Sequence, residues 1–381
     1  MSLFGDEDVI DNDTGDATAP ISEGLLDPKA MPFCIGHDEQ EKFFIDLYEK
    51  GSLPHAMTFS GIEGIGKTTM AFRLARFLLK NGKGQDDGDS LFGDTLPQEI
   101  SSLDVRADDP VFSRIASGGH GDLLHIHRLF DKAKGKLDST LKVQSLRKIE
   151  PFLRKTSSEG GWRIVIVEDA DTMNRNAQNA ILKILEEPPA NVLIMLIAHR
   201  PGMLIPTIHS RSRVIQFSSL SAENMAELMR KNGYDLSINE IEALSDLSEG
   251  SVGQALKYSD NGGIEMLSKV LEHIALSKQG QTHKIHEFAS SLGSPAQDVQ
   301  YRMFVDVIQW VFRKALFLKA KGETEIPVYF QNDTAQSILD NSSIENLISL
   351  SDNLKNHFSR VEFSNLDRRD AVRSAFLMIS E

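Results

Sequence analysis

The stretch Gly61-Ile62-Glu63-Gly64-Ile65-Gly66-Lys67-Thr68 satisfies the phosphate-loop pattern G-x-x-x-x-G-K-[ST] at every fixed position. Glycines let backbone N–H groups turn inward and approach an anion closely, because no Cβ stands in the way. A helix opening at Lys67 adds the positive end of its dipole to the same place. In this arrangement Gly61, Gly64 and Gly66 shape the cradle, Lys67 reaches the β- and γ-phosphates, and the Thr68 hydroxyl is a ligand for Mg²⁺, with Thr69 completing the binding set. The chemistry implied is ATP binding with Mg²⁺. The bland alternative, a chance glycine turn, does not account for the apolar strand before it and the periodic helix after it.

Phosphate-loop ATPases also need acids at the end of a neighbouring strand. Ile164-Val165-Ile166-Val167 followed by Glu168-Asp169 supplies them. The usual order is Asp, to hold Mg²⁺, then Glu, to polarise the attacking water. Here the order is reversed, so each carboxylate is one methylene wrong for its task, and errors of that size cost orders of magnitude in rate. Glu168 and Asp169, with Thr68, are the candidate magnesium ligands; the alternative is a relic pair at a strand end. Efficient hydrolysis is not expected.

These residues need a scaffold. Apolar runs at Ala56–Ser60, Leu123–His127, Arg163–Val167, Val192–Ala198 and Arg213–Phe217 are continuous and not alternating, as in a parallel sheet buried on both faces. Helical periodicity lies between them, at Glu39–Tyr48, Lys67–Lys80, Val143–Thr156 with a kink expected at Pro151, and Asn174–Leu185 with Asn174 as N-cap. Alternating strands and helices predict a doubly wound α/β domain over 28–218, with a surface insertion at 81–110 that is rich in Asp, Gly and Ser. After Ser218 strand signals mostly vanish. A small helical unit is expected over 219–262 and long amphipathic helices over 263–381.

Composition sets the remaining bounds. A single cysteine, Cys34, excludes an internal disulfide and any cysteine-rich zinc site. The opening sequence has no basic flank or apolar core, and no apolar run is long enough to cross a bilayer, so a reduced, cytoplasmic, soluble protein without membrane association is expected. The net charge of −14 argues against a protein whose main task is coating nucleic acid. Residues 1–27 hold eight of the acids and no Lys or Arg, and read as a disordered acidic tail, so the remainder is only mildly acidic.

The string NAILKILEEPPANVLIMLIAHRPGMLIPTIHSRSRVIQF, ending at Phe217, carries LEEPP, a strand and then PTI-x-SR. It resembles the clamp-loader branch of AAA+ proteins. With GGWRIVIVEDADTMN ahead of it, it is most similar to the delta-prime subunits of bacterial DNA polymerase III, the resemblance running from about His37 to Leu256. That resemblance implies a RecA-like AAA+ domain, a helical lid and an all-α collar that joins subunits into a hetero-oligomeric ring. The partners it implies are gamma or tau and delta subunits, with the sliding clamp and primed DNA met through the complex. Arg211, in Ser210-Arg211-Ser212, matches the family's trans arginine finger, which serves a neighbour's ATP; an arginine between strands is otherwise an ordinary surface charge. Ser212 stands where the family has Cys.

Other positions depart from the ATP-hydrolysing relatives. Gly253 falls where their lid carries an arginine, and the γ-phosphate-sensing polar position falls at Ala198, which cannot serve, or His199, a doubtful substitute. The four-cysteine zinc module of many delta-prime relatives would lie within 81–110, where there is no cysteine; His120, His125 and His127 lack a partner set, and no zinc is expected. The resemblance thus implies a non-catalytic subunit of a polymerase holoenzyme, with weak or absent ATPase of its own. The rivals are an ATP-hydrolysing gamma- or tau-type motor and, more remotely, a small-molecule kinase, for which no arginine-rich substrate lid is evident. Because residues 1–27 hold too few apolar side chains to join a core, their removal is expected to leave the melting temperature unchanged in a thermal scan; a fall of several degrees would contradict this.

Overall fold

A computed structural model describes residues 27–82, 100–131, 136–158, 161–322, 326–364 and 366–380. The acidic segment 1–27, apart from Asp27, and most of 81–110 lie outside them. The chain divides between Ser218 and Ser219 into two compact units.

The first unit is built on a parallel sheet. Its strands are β1 (Ala56–Ser60), β2 (Leu123–Ile126), β5 (Arg163–Val167), β6 (Val192–Ala198) and β7 (Arg213–Gln216), in the order β2-β5-β6-β1-β7. A separate two-stranded hairpin, β3 (Phe130–Asp131) with β4 (Lys136–Leu137), follows β2 and has no counterpart in the sequence expectations. Every residue of β1, β5 and β6 is buried, because helices cover both faces. On one face Phe59, Ile164, Ile166 and Met195 meet Met70, Leu74 and Leu78 of the helix Lys67–Asn81. On the other, Val165, Val167, Ile194 and Leu196 meet Ala177, Ile181 and Leu185 of the helix Arg175–Glu186. The double burial is why these strands read as unbroken apolar runs. Strand β7, at the edge, has only Ile215 buried.

Three local features differ from expectation for identifiable reasons. The helix foreseen over Val143–Thr156 is two short ones, Val143–Arg147 and Ile149–Arg154. Pro151 has no N–H for the carbonyl of Arg147, so the ladder breaks there, and it restarts when Phe152 N–H donates to Lys148 O at 3.2 Å. The end of the presumed surface insertion is not surface: Leu103 and Val105 are buried. The same segment meets the buried Arg73, whose guanidinium donates to Glu41 Oε1 at 2.8 Å and also contacts Asp104 and Ser102. Beyond it, the helix Pro110–Ala116, capped by Asp109, was not expected.

The second unit is helical among its described residues. Ser221, Ser237 and Ser251 cap the helices Ala222–Lys231, Ile238–Leu247 and Val252–Asp260, and Ser237 forms a full capping box with Glu240. The longest helix, Asp298–Lys321, buries Phe304, Ile308, Val311 and Phe312. Its Trp310 indole N–H donates to Asp246 O at 3.1 Å, and Lys314 and Tyr329 both reach the Asp246 carboxylate, binding the helix Ile238–Leu247 into the same core. The described residues include no helix long and apolar enough to cross a membrane.

One buried cation ties the entry of the chain to the helix that follows the phosphate loop. Arg76, 2% exposed, donates to Lys29 O at 3.1 Å and Met31 O at 2.8 Å and lies 4.6 Å from the Phe112 ring centroid. Burial and the neighbouring Arg73 push its pKa down to about 10. Arg76→Met keeps most of the volume but strips two carbonyls of their donor. It is expected to lower unfolding free energy by about 1–3 kcal/mol in a denaturant titration; an unchanged midpoint would contradict that role.

Candidate nucleotide site

The loop between β1 and the helix Lys67–Asn81 has the backbone that the glycines anticipate. Gly61, Gly64 and Gly66 adopt φ of 155°, 78° and 100°, conformations that favour glycine. At Gly61 a Cβ would also stand 2.5 Å from Phe217 O, so the loop and the end of β7 approach as closely as backbone allows. The loop is braced from behind by buried His37, whose Nε2 is 2.6 Å from Ile65 O and whose ring meets Phe217 edge-on at 4.9 Å.

Lys67 is 2% exposed. Its ammonium donates to Gly61 O at 2.7 Å, Ile62 O at 2.5 Å and His199 Nδ1 at 3.0 Å. Burial lowers its pKa to about 8, against the opposing pull of Glu63, Asp171 and Asp169. Because Nδ1 of His199 accepts from the ammonium, its proton resides on Nε2, which donates to Asp169 Oδ1 at 2.8 Å. The other oxygen of Asp169 accepts from Arg128 Nε at 2.6 Å. Lys67, His199, Asp169 and Arg128 therefore form one continuous chain of hydrogen bonds across the ends of β1, β6, β5 and β2.

Glu168 lies beside this chain. Its Oε2 is 3.2 Å from His125 Nε2. Burial would raise its pKa, but His125 and the hydroxyl of Thr68 hold it below the usual carboxylate range. Asp169 behaves alike: burial pulls upward, and the hydrogen bonds from His199 and Arg128 prevail and lower it. Asp169 takes a left-handed backbone, φ 51°, which lets the chain turn at the strand end. The buried Asp171 fixes the end of β6 by accepting from His199 N at 2.9 Å, which sets the imidazole in its place.

The candidate residues Gly61, Gly64, Gly66, Lys67, Thr68, Glu168 and Asp169 are thus brought to one sheet edge, and Thr69 continues the helix beside them. Sequence reasoning did not bring Arg128 or His125 to these residues, and it weighed His199 only as a possible phosphate sensor, not as the link between Lys67 and Asp169. Of these, only the position of His199 at the end of an apolar strand offered a signal.

Arg211 stands elsewhere in the same unit, after the short helix Pro206–His209. Its Nη2 is 2.8 Å from Glu186 Oε1, and Nη1 donates to Thr207 O and Ser210 Oγ, both at 3.2 Å. The pair is partly exposed, whereas the segment beneath it is fixed. Ile208 is fully buried, and Ser212 Oγ lies 2.9 Å from Ile208 O and 2.8 Å from Thr58 Oγ1. Buried Gln178 holds the approach to this helix, donating to Met173 O and Met203 O and accepting from Ile205 N at 2.7 Å. In the second unit, Gly253 lies in the first turn of the helix Val252–Asp260, where no side chain extends from it.

Residues 36–221 match the family model described as DNA polymerase III, delta subunit. The chain is 25% identical over 271 residues to a replication factor C small subunit of Methanococcus maripaludis, covering 70% of this chain and 69% of the relative. It is 27% identical over 235 residues to DNA polymerase III subunit delta' of Pseudomonas aeruginosa, covering 62% of this chain and 65% of the relative. Against the same subunit of Bacillus subtilis it is 27% identical over 300 residues, covering 78% and 81%. The fold is a parallel α/β phosphate-loop domain followed by helical C-terminal structure, and the chain resembles the delta-prime subunits of bacterial DNA polymerase III.

Proposed function

We propose that this chain is a delta-prime-type, stator-like subunit of a clamp loader, which presents Arg211 to the ATP of a neighbouring subunit while its own phosphate loop binds nucleotide and scarcely turns it over. The reading assigns residues 219–262 to a lid and 263–381 to a collar, with gamma or tau and delta subunits as ring partners and the clamp and primed DNA as what the ring acts on. The observation that carries it is the contrast at Arg211. A rigid, buried support ends in a guanidinium tethered only by an exposed carboxylate and two surface oxygens, and such a pair costs little to break. A planar, permanently charged group is suited to the equatorial oxygens of a transferring phosphoryl group.

The intact phosphate loop keeps a second reading open, an ATP-hydrolysing gamma- or tau-type motor. Gly253, which cannot reach a nucleotide with a guanidinium, and the reversed Glu168-Asp169 pair weigh against it. Calorimetry separates loop from motor. The isolated chain is expected to bind ATP, with Lys67→Ala weakening binding about 10- to 100-fold, the cost of charged hydrogen bonds. Equal affinities would remove the phosphate site, and turnover at the rate of a clamp-loader motor would favour the second reading.

The arginine is tested in the reconstituted ring. Arg211→Ala is expected to leave folding, nucleotide affinity and assembly unchanged but to reduce DNA- and clamp-stimulated ATP hydrolysis. A trans arginine is worth roughly 10³ to 10⁵ in rate at the site it serves. It serves one site among several, so the loss over the whole ring is partial unless the sites fire in obligatory order. Arg211→Lys should rescue poorly, since an ammonium lacks the forked donor geometry. Normal assembly with normal stimulated hydrolysis would reduce Arg211 to a surface charge.

A further inference from the structure

We infer that the phosphate loop takes its nucleotide without a divalent cation, the Arg128 guanidinium supplying the positive charge beside Asp169. This rests on the phosphate-site reading of Gly61–Thr68 given above. Magnesium needs oxygen lone pairs open to it in near-octahedral array, and it is usually held by one or two carboxylates together with substrate phosphates. At Asp169 both carboxylate oxygens are engaged. Asp169 Oδ2 accepts from Arg128 Nε at 2.6 Å, and Asp169 Oδ1 accepts from His199 Nε2 at 2.8 Å. Glu168 Oε2 lies 3.2 Å from His125 Nε2. As placed, Asp169 has no oxygen free of a donor to offer magnesium, and the described residues contain no group of three or more His, Cys, Asp or Glu side chains that could hold a metal ion.

Rearrangement to admit the ion is opposed by charge. A dication at Asp169 would either displace Arg128 from its carboxylate or stand against a guanidinium in a partly buried site, and like charges repel most where water is scarce. Arg128 is also fixed from the other side, its Nη1 donating to Asp138 O at 3.2 Å. The two groups therefore compete for one place, and the guanidinium already has it. Its planar donors suit phosphate oxygens as well as they suit a carboxylate. Arg128 brings one positive charge where magnesium would bring two, and no coordinated water, so the site is one for holding a nucleotide.

The test titrates a fluorescent ATP analogue into the full chain, once in buffer with magnesium and once with EDTA. The dissociation constants are expected to agree within about threefold; a larger loss in EDTA, or no binding in either buffer, would overturn the proposal. Arg128→Met bares Asp169 and removes the resident charge. Its binding in EDTA should fall about tenfold or more, with magnesium restoring it. Undiminished binding by this variant in EDTA would also overturn the proposal. Arg128→Gln, which keeps a donor for Asp169 but not the charge, carries the same expectation should the first variant fail to fold, as judged by thermal melting. None of these measurements touches Arg211 or ring assembly, so failure here leaves the subunit assignment to its own test.

Discussion

An ammonium group with almost no access to water has to be answered by the structure around it, and at Lys67 that requirement organises the ends of the central strands. The loop folds back so that two of its own carbonyls, Gly61 O and Ile62 O, accept from Nζ. That fold needs the unusual backbone of Gly61, pressed against Phe217 O. The third acceptor, His199, is 132 residues away in sequence but lies next door, because β6 pairs directly with β1. Through His199 the charge is passed to Asp169 and from there to Arg128, so the ends of four strands are bound together electrostatically. Isolated buried charges are costly, and a chain of alternating charges and neutral imidazole meets that cost by completing each partner's hydrogen bonds.

The segment around Arg211 follows the opposite logic. Around Arg211 the buried groups are neutral and short-range: Thr58 with Ser212, and Gln178 with the carbonyls of Met173 and Met203. They hold the backbone without holding the guanidinium. One site immobilises its cation among other charges, and the other immobilises only the support and leaves the cation to be captured. A subunit that stores nucleotide in its own loop and contributes an arginine outward would need both arrangements in one domain.

What the sequence made legible was local or periodic. The phosphate loop is a contiguous pattern, and its geometry follows from glycine and helix placement over eight residues. The strands could be read because burial on both faces leaves only β-branched and aliphatic residues from Ile164 to Val167 and from Val192 to Ile197. The helix cap at Asn174 was equally local. What could not be read depends on strand order. His125 on β2 and Arg128 just beyond it look like ordinary polar residues, and only the pairing of β2 with β5 brings them to Glu168 and Asp169. Gln178 resembles any polar residue on an amphipathic helix until its three backbone partners are known. Leu103 and Val105 were hidden in a stretch whose composition resembles a loop, because two or three buried residues generate no periodicity. Pro151 was recognised as a disruption, but its effect falls four residues upstream, where the carbonyl loses its donor.

The account turns on this chain being one member of a mixed ring and not a motor by itself. Native mass spectrometry of the complex recovered with the tagged chain at its natural abundance tests that most directly. The account predicts a hetero-oligomer holding a single copy of this chain together with gamma- or tau-type and delta-type clamp-loader subunits. A homo-oligomer of the chain, or a monomer with none of those subunits attached, would contradict it.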